Sequence, residues 1–391
     1  MTSYNELTNV NIKGKNILIR EDLNVPIQDN QIINDARILA AIPTIKYSLS
    51  KGAKIAIISH FGRPTEGTFN EKYSLKIVAE RLSKILKRKV FFEAIPLNIK
   101  SPEYKNDITL YENTRFLLGE KNGDENLAKK IVKNCDVFVM DAFGASHRQH
   151  ASTFTVAKYA PTSCGGLLLM NEIKNIEKIF TNTKKPVLAI IGGAKVSTKL
   201  NILKKLLYKV DTIIMGGGIA NTFLLSKNYS IGKSLAEIDM IDDAKDILSL
   251  AEKNNVSIPF PKDVVCDDSN NISNKDINNL SKKDMIKDIG PETSRIYNKL
   301  IEEAGTIIWN GPIGIFENNL FENGTKNIAI TISKSKALTF AGGGDTISAI
   351  EKFINIKDID FISTGGGAFL EFLEGKELPG IKIIKKNYDS N

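Results

Sequence analysis

Cysteine is scarce in this 391-residue chain. There are three, Cys135, Cys164 and Cys266, scattered and odd in number. No Cys-x-x-Cys or Cys/His spacing accompanies them, which excludes a disulfide framework or a zinc module and points to a reducing compartment. Long apolar runs are also missing: no stretch reaches the roughly 18–20 residues that a membrane-spanning helix needs. The opening Met1-Thr-Ser-Tyr-Asn-Glu6 lacks the basic-then-apolar pattern of a signal peptide. A cytoplasmic protein without a membrane partner is expected.

Arginine is the third scarcity, eight residues against forty-five lysines. Lysine is spread along the whole chain in company with Asn and Ile, so the net charge of +8 reads as compositional bias and no nucleic-acid partner is expected. Seven of the arginines precede residue 150, and Arg20, Arg37, Arg63, Arg115 and Arg148 fall at or just past predicted strand ends. A guanidinium pairs with phosphate or carboxylate through two hydrogen bonds, which an ammonium cannot do. Those five positions suggest an anion site, whereas Arg81 and Arg88 fit a solvated helix face.

The length calls for two or more domains. In the first half, apolar runs at Asn16–Arg20, Lys54–Ser59, Val90–Glu93, Ile108–Tyr111 and Asp136–Asp141 read as strands. Between them, Asp35–Ser50 and Ser74–Lys87 read as helices. A second series follows Lys185: Val187–Ile191, Thr212–Met215, Thr306–Trp309, Leu338–Ala341 and Phe361–Ser363. Continuous apolar strands alternating with helices predict an α/β protein, each sheet mostly parallel with helices on both faces. Gly165–Phe180 reads as a helix joining the halves, with Thr181–Pro186 as its exit.

Ligands of open parallel sheets bind beyond the carboxyl ends of the strands. In the first half those ends read Arg20-Glu-Asp22-Leu23-Asn24-Val-Pro26, Ser59-His60-Phe61-Gly62-Arg63-Pro64, Glu112-Asn113-Thr-Arg115-Phe116 and Asp141-Ala-Phe-Gly144-Ala-Ser-His147-Arg148. Together they predict a basic pocket for a small, multiply charged anion. In the second half, glycine clusters follow strands at Gly192-Gly193, Gly216-Gly217-Gly218, Gly342-Gly343-Gly344 and Gly365-Gly366-Gly367. Each is expected to open a helix, where bare N–H groups and the helix dipole favour phosphate; any one alone reads better as a tight turn, and it is the four together that point to phosphate. Two rival nucleotide motifs fail. The Gly-Lys-Ser at Gly232 has Lys227 where the P-loop needs glycine, and the G-x-G-x-x-G series from Gly216, Gly342 and Gly365 end on Asn221, Ile347 and Leu370.

Taken together, these blocks resemble the phosphoglycerate kinase family from about Lys13 to Ile381. The Arg-x-Asp-x-Asn-Val-Pro block at Arg20 is the most specific, supported by Ser-His-Phe-Gly-Arg-Pro, by Trp309-Asn-Gly-Pro-Ile-Gly-Ile-Phe-Glu317 and by Gly-Gly-Gly-Asp-Thr. The resemblance implies two Rossmann-like domains joined by a helix and hinge. They would be a phosphoglycerate-binding domain over 1–170 with the tail 379–391 packed on it, a linker helix over 171–185 and a nucleotide-binding domain over 186–378. It implies reversible, in-line phosphoryl transfer from 1,3-bisphosphoglycerate to Mg2+-ADP, giving 3-phosphoglycerate and ATP in glycolysis, in a monomer whose cleft closes by hinge bending.

Carried over position by position, the resemblance makes Asp22, Leu23, Asn24, Arg37, His60, Phe61, Gly62, Arg63, Arg115 and Arg148 the substrate residues. Arg37, Lys195 and Lys199 would be catalytic, the two lysines sharing the first turn and a half of one helix. Gly193, Lys199, Gly217, Glu317, Gly343, Gly344, Asp345 and Thr346 would hold the nucleotide, with Glu317 on the ribose and Asp345 near the magnesium ion. The amides of Gly343, Gly366 and Gly367 would face the transition state. Departures are small: Phe61 stands for a usual Leu, Ala145-Ser146 for Thr-Ala, and Ser197-Thr198 for Ala-Asp. His147 and His150 are given no catalytic role, and Trp309 is read as core or as a wall of the nucleotide pocket.

Overall fold

The computed structural model describes residues 3–96, 100–181, 183–269 and 271–385. The chain forms two compact units, Met1–Lys174 with Glu377–Asn391, and Asn175–Lys376; the division falls inside the helix Leu167–Thr181.

The strands of the first unit are β1 (Asn16–Arg20), β2 (Ile27–Gln28), β3 (Gln31–Ile32), β4 (Lys54–Ile58), β5 (Phe91–Glu93), β6 (Ile108–Tyr111), β7 (Val137–Met140) and β8 (Ser163–Gly165). Six of them build one parallel sheet in the order β5-β6-β4-β1-β7-β8. The unbroken apolar runs have their cause here, because both faces of the central strands are buried. Ile17, Ile19, Ile55, Ile57, Ile108, Leu110, Val137 and Val139 share one core with Ile38, Ala41, Ile42 and Ile45 of the helix Ala36–Ser50 and Val78, Ala79 and Leu82 of the helix Lys76–Leu86. Each fully buried isoleucine or leucine contributes about 1.5–3 kcal/mol. Leu18, Ala56, Ile58, Phe138 and Met140, on the opposite face, are equally buried.

In the second unit the strands are β9 (Val187–Ile191), β10 (Thr212–Met215), β11 (Asp263–Asp267), β12 (Ile272–Asp276), β13 (Met285–Ile289), β14 (Thr306–Asn310), β15 (Leu338–Gly342) and β16 (Phe361–Ser363). Its main sheet is parallel in the order β10-β9-β14-β15-β16. The chain leaves β9 for β10 on one side and returns to β14 on the other. That reversal is the kind of switch point where open α/β sheets bind ligands.

Three features were not expected from the sequence. The hairpin β2–β3 and the edge strand β8 are too short to show a period. The antiparallel sheet β12-β11-β13 includes β12, Ile272-Ser-Asn-Lys-Asp276, which alternates between exposed and half-buried and whose one apolar residue, Ile272, is exposed, so it carries no apolar pattern. The connecting helix runs Leu167–Thr181, so the expected exit at Thr181–Pro186 begins one residue late; Asn182 in it lies outside the described residues. The tail forms the short helix Pro379–Lys382, where Gly380 N–H donates to Ser146 O at 2.8 Å and Asn5 N–H to Ile384 O at 2.7 Å. Residues 386–391 of the tail lie outside the described residues. The three cysteines are free and buried, and among the described residues no helix is long and apolar enough to cross a membrane.

Candidate active site

In the first unit, the loops after β1, β4, β6 and β7 meet at one sheet edge, and asparagine and glycine knit them together. Asn24 Oδ1 accepts from Gly62 N–H at 2.8 Å, and the Gly62 carbonyl accepts from Arg115 Nη1 at 2.6 Å. Gly62 has φ +59°, and a Cβ there would lie 2.3 Å from Tyr73 Cδ1, so any side chain would strain the backbone and displace Tyr73. Asn113 ties β4 to β6: its Oδ1 accepts from the N–H groups of Phe61 and Arg115, both at 3.0 Å, and its Nδ2 donates to the carbonyls of Phe61 and Tyr73. Arg37, on the first turn of its helix and 34 % exposed in its side chain, donates from Nη1 to Asp22 Oδ1 at 3.2 Å and to Asn24 O at 2.8 Å.

The electrostatics of this edge are one-sided. Burial, then the guanidinium groups of Arg148 and Arg20, pull Arg115 down to about 10, still charged at neutral pH. Arg148 is lowered by burial and by Arg63 against the pull of Asp22. Arg115 Nε is buried and has no partner. Burial pushes His60 well below its ordinary value; Asp22 opposes the shift, and Arg20, Arg115 and Arg148 add to it. Its imidazole is therefore neutral, and because Nδ1 faces Arg20 Nη2 at 3.2 Å the proton belongs on Nε2, which is left as a donor. Neighbouring cations that repel one another, with an unpartnered N–H, make a site for a multiply charged anion.

Three expectations for this unit need correction. Arg20 is 1 % exposed and lies beneath the edge, donating from Nε to Ser152 Oγ at 3.1 Å and from Nη1 to the Glu21 carbonyl, so it is an internal brace. Leu23 and Phe61 point into the hydrophobic core, and their N–H groups are taken by Ser59 Oγ and Asn113 Oδ1. Alternation within short loops does not show which side chain turns inward. His150 caps the turn at Ala151–Thr155 and its imidazole is pushed down to about 4, by burial first and then by Arg148 and Arg20, which suits a structural group.

The second unit presents glycine where backbone approaches backbone. A Cβ on Gly192 would sit 1.8 Å from Pro312 O, and one on Gly218 2.2 Å from Ala194 O, so β9, β10 and β14 can end this close together only with glycine there. Gly217, Gly344 and Gly366 start the helices Gly217–Ser226, Gly344–Phe353 and Gly366–Leu373. In the first of these the N–H groups of Gly217 and Ile219 donate to Ile313 O and Gly193 O, whereas a first helical turn has no intrahelical partners for its N–H groups, which leaves those of the other two for a ligand. A Cβ on Gly366 would lie 3.2 Å from Gly343 Cα, so two glycine turns abut, while Gly344 and Gly367 border open space. Beside them opens a largely apolar cavity of about 330 Å³. Gly193, Gly217, Ile313, Glu317 and Asp345 are among its lining residues. An apolar cavity lined by glycines and by carboxylates, with glycine turns that open helices, suits a nucleotide.

Lys199 caps the helix Leu200–Leu206 and donates to Asn310 Oδ1; burial lowers it to about 8 against the upward pull of Asp345 and Glu374. Asn310 Nδ2 donates to Gly342 O at 2.5 Å, which links β14 to β15. No sequence signal separated Asn310 from its motif neighbours; only its junction role marks it. The expected shared helix for Lys195 and Lys199 is absent. Gly192-Gly193 opens into turns, and Lys195 is an exposed loop residue. Thr346 is also corrected. Its hydroxyl is fully buried, donating to Gly342 O at 2.9 Å and accepting from Gly311 N–H at 2.7 Å, so only its backbone can serve a ligand. Trp309 is core, with Nε1 donating to Gly311 O at 2.9 Å.

A profile of the phosphoglycerate kinase family matches residues 7–376. A protein named phosphoglycerate kinase from Legionella pneumophila (strain Lens) is 49% identical over 385 residues, 97% of each chain. One of the same name from Francisella philomiragia subsp. philomiragia is 49% identical over 391 residues, 98% of this chain and 99% of its own. The solved structure of phosphoglycerate kinase from Coxiella burnetii superposes with a TM-score of 0.90 at 45% identity, covering 97% of this chain and 98% of that one.

Proposed function

Since this chain belongs to the phosphoglycerate kinase family, we propose that it moves a phosphoryl group reversibly between 1,3-bisphosphoglycerate and ADP, the first unit holding the phosphoglycerate and the second the nucleotide. The observation that carries the placement is the cluster of Arg115, Arg148 and Arg63, cations that repel one another at one sheet edge. The apolar, glycine-floored cavity of the other unit supports the nucleotide assignment.

In the direction of ATP use, a carboxylate oxygen of 3-phosphoglycerate attacks the terminal phosphorus. The bond to the ADP oxygen breaks as the new P–O bond forms. A carboxylic acid of this kind titrates near about 4, so the nucleophile arrives ionised and no proton has to move. The site matches that demand, since it supplies cations and amides without a general base. Arg63, Arg115 and Arg148 grip the substrate phosphate, while His60 Nε2–H and Asn24 orient its polar groups. Arg37, positioned by Asp22, and Lys199, positioned by Asn310, neutralise charge building on the transferring group. Lys195 in its loop, and the amides of Gly343, Gly344, Gly366 and Gly367, complete that cradle. Glu317 takes the ribose hydroxyls.

Among the described residues no three carboxylates, imidazoles or thiols cluster as an all-protein metal cage. Magnesium does not require one, because it is commonly held by one or two carboxylates together with substrate phosphates. Asp345, exposed on the first turn of its helix and lining the nucleotide cavity, fits that donor set. Bound there, magnesium would offset phosphate charge.

Ligands assigned to different units must be brought into contact for in-line transfer, so closure by bending at the connecting helix belongs to this proposal, as does action as a cytoplasmic monomer. The test is a coupled assay with ATP, 3-phosphoglycerate and magnesium. ADP should form only when all three are present. ATP breakdown independent of 3-phosphoglycerate, or none at all, would overturn the reading.

A further inference from the structure

Two carboxyl groups that this chemistry does not use lie buried in the first unit. Glu21, between Arg20 and Asp22, and Asp141, just after β7, are both 0 % exposed. They follow directly on paired residues of the neighbouring strands β1 and β7, Arg20 and Met140, with Asp141 N–H donating to Arg20 O at 3.0 Å, and the two carboxyl groups interact. Asp141 Oδ1 also accepts from Leu169 N–H at 2.9 Å, in the first turn of the helix Leu167–Thr181. Neither oxygen of Glu21, nor Asp141 Oδ2, has a donor on it.

An ionised carboxylate can only accept, so two in contact without a donor leave lone pairs facing one another. The surroundings do not relieve this. Arg20 is the nearest cation, but its guanidinium is committed to Ser152, to the Glu21 carbonyl and to His60. Asp22 adds a further negative charge on the Glu21 side. The Thr44 hydroxyl of the helix Ala36–Ser50 and the amides of Leu168 and Leu169 donate to Asp141 and favour its ionised form, but none reaches a Glu21 oxygen or Asp141 Oδ2; Cys164 of β8 lies close by. A lone proton between the two acids removes one buried charge and supplies the missing donor.

We propose that Glu21 and Asp141 share one proton and form a positioning pair, which ties the end of β1, one residue ahead of Asp22, to the end of β7 and the first turn of the connecting helix. Burial raises both acids above their ordinary range, and Asp141 adds to the shift of Glu21. The folded protein thus retains a proton that the unfolded chain releases near about pH 4. Stability from the pair is complete below that value and is lost as the pH rises through the folded titration, which belongs to the pair as a unit. Above it, two like charges sit directly behind Asp22 and Asn24.

The test compares the wild type with Glu21→Gln, whose amide can donate to an ionised Asp141. Thermal midpoints from about pH 5 to about pH 9 should diverge, the wild type losing stability relative to the variant as the pH rises; parallel curves would overturn the shared proton. Should the variant not fold, infrared spectra of the wild type decide: a protonated-carboxyl stretch present at neutral pH and lost in alkali is expected, and its absence would sink the idea. The positioning claim rests on the assignment of phosphoglycerate to this unit. There, KM for 3-phosphoglycerate should rise several-fold more in the wild type than in Glu21→Gln over the same range, with KM for ATP moving equally in both. A KM ratio that does not change with pH would remove the positioning role. The melting and infrared readouts need no substrate, so failure of the substrate assignment would be seen separately.

Discussion

Lys199 donates its ammonium to the side-chain carbonyl of Asn310, a residue only 2 % exposed. Asn310 in turn is fixed by its bond to the Gly342 carbonyl, so a flexible lysine is aimed from the crossing of β9, β14 and β15.

Asn310→Ala should therefore act through Lys199. It removes both bonds, while the Gly342 carbonyl keeps the Thr346 hydroxyl; loss of the charged bond that aims Lys199 should cost about 1.5–3 kcal/mol, or roughly 10- to 160-fold in kcat/KM for ATP. KM for 3-phosphoglycerate should hardly move. Steady-state kinetics with each substrate varied would expose a wrong assignment if both sides suffered equally.

Lys199 gives activity an alkaline limb. Burial holds it down to about 8, so in the free enzyme it loses its charge as the pH passes that value, and kcat/KM for the nucleotide should fall there. Lys199→Arg should move the limb upward, since guanidinium stays protonated. Stability runs the other way. Between the folded value and the ordinary 10.5 the unfolded chain binds more protons, so this group stabilises increasingly as pH rises. Activity and thermal midpoint recorded across the same buffers would test both signs.

Arg37 is half-buried and held by Asp22 and the Asn24 carbonyl, so its geometry is set before any ligand arrives. Arg37→Ala should lower turnover by on the order of 10³-fold with nucleotide affinity nearly intact. A mild loss of turnover would reduce Arg37 to a peripheral binder.

Asp345→Ala should weaken binding of the magnesium–nucleotide complex while leaving 3-phosphoglycerate affinity unchanged. Calorimetric titration of each ligand alone separates the two. A parallel fall in both affinities would refute the metal assignment.

Gly62→Ala places a Cβ at φ +59° and 2.3 Å from Tyr73, which strains the backbone by about 1–2 kcal/mol before any clash is counted. It also disturbs the bonds from Gly62 to Asn24 and Arg115. A lower thermal midpoint together with a raised KM for 3-phosphoglycerate is expected. An unchanged KM would show that Arg115 is held by other means.

The two parallel sheets were legible along the chain, because strands buried on both faces must read as unbroken apolar runs and the helices covering them must repeat every three to four residues. The sequence also marked the strand ends that carry the chemistry, where arginine and glycine stand out against lysine-rich surroundings. Tertiary structure alone decided the rest. It put Arg20 beneath the site and Arg115 within it, turned Leu23 and Phe61 inward, took up the Thr346 hydroxyl, and made Asn310 the residue that aims Lys199. Those outcomes depend on which residues from distant strands meet at a sheet edge, and a pattern running along one chain holds no record of its neighbours across the sheet.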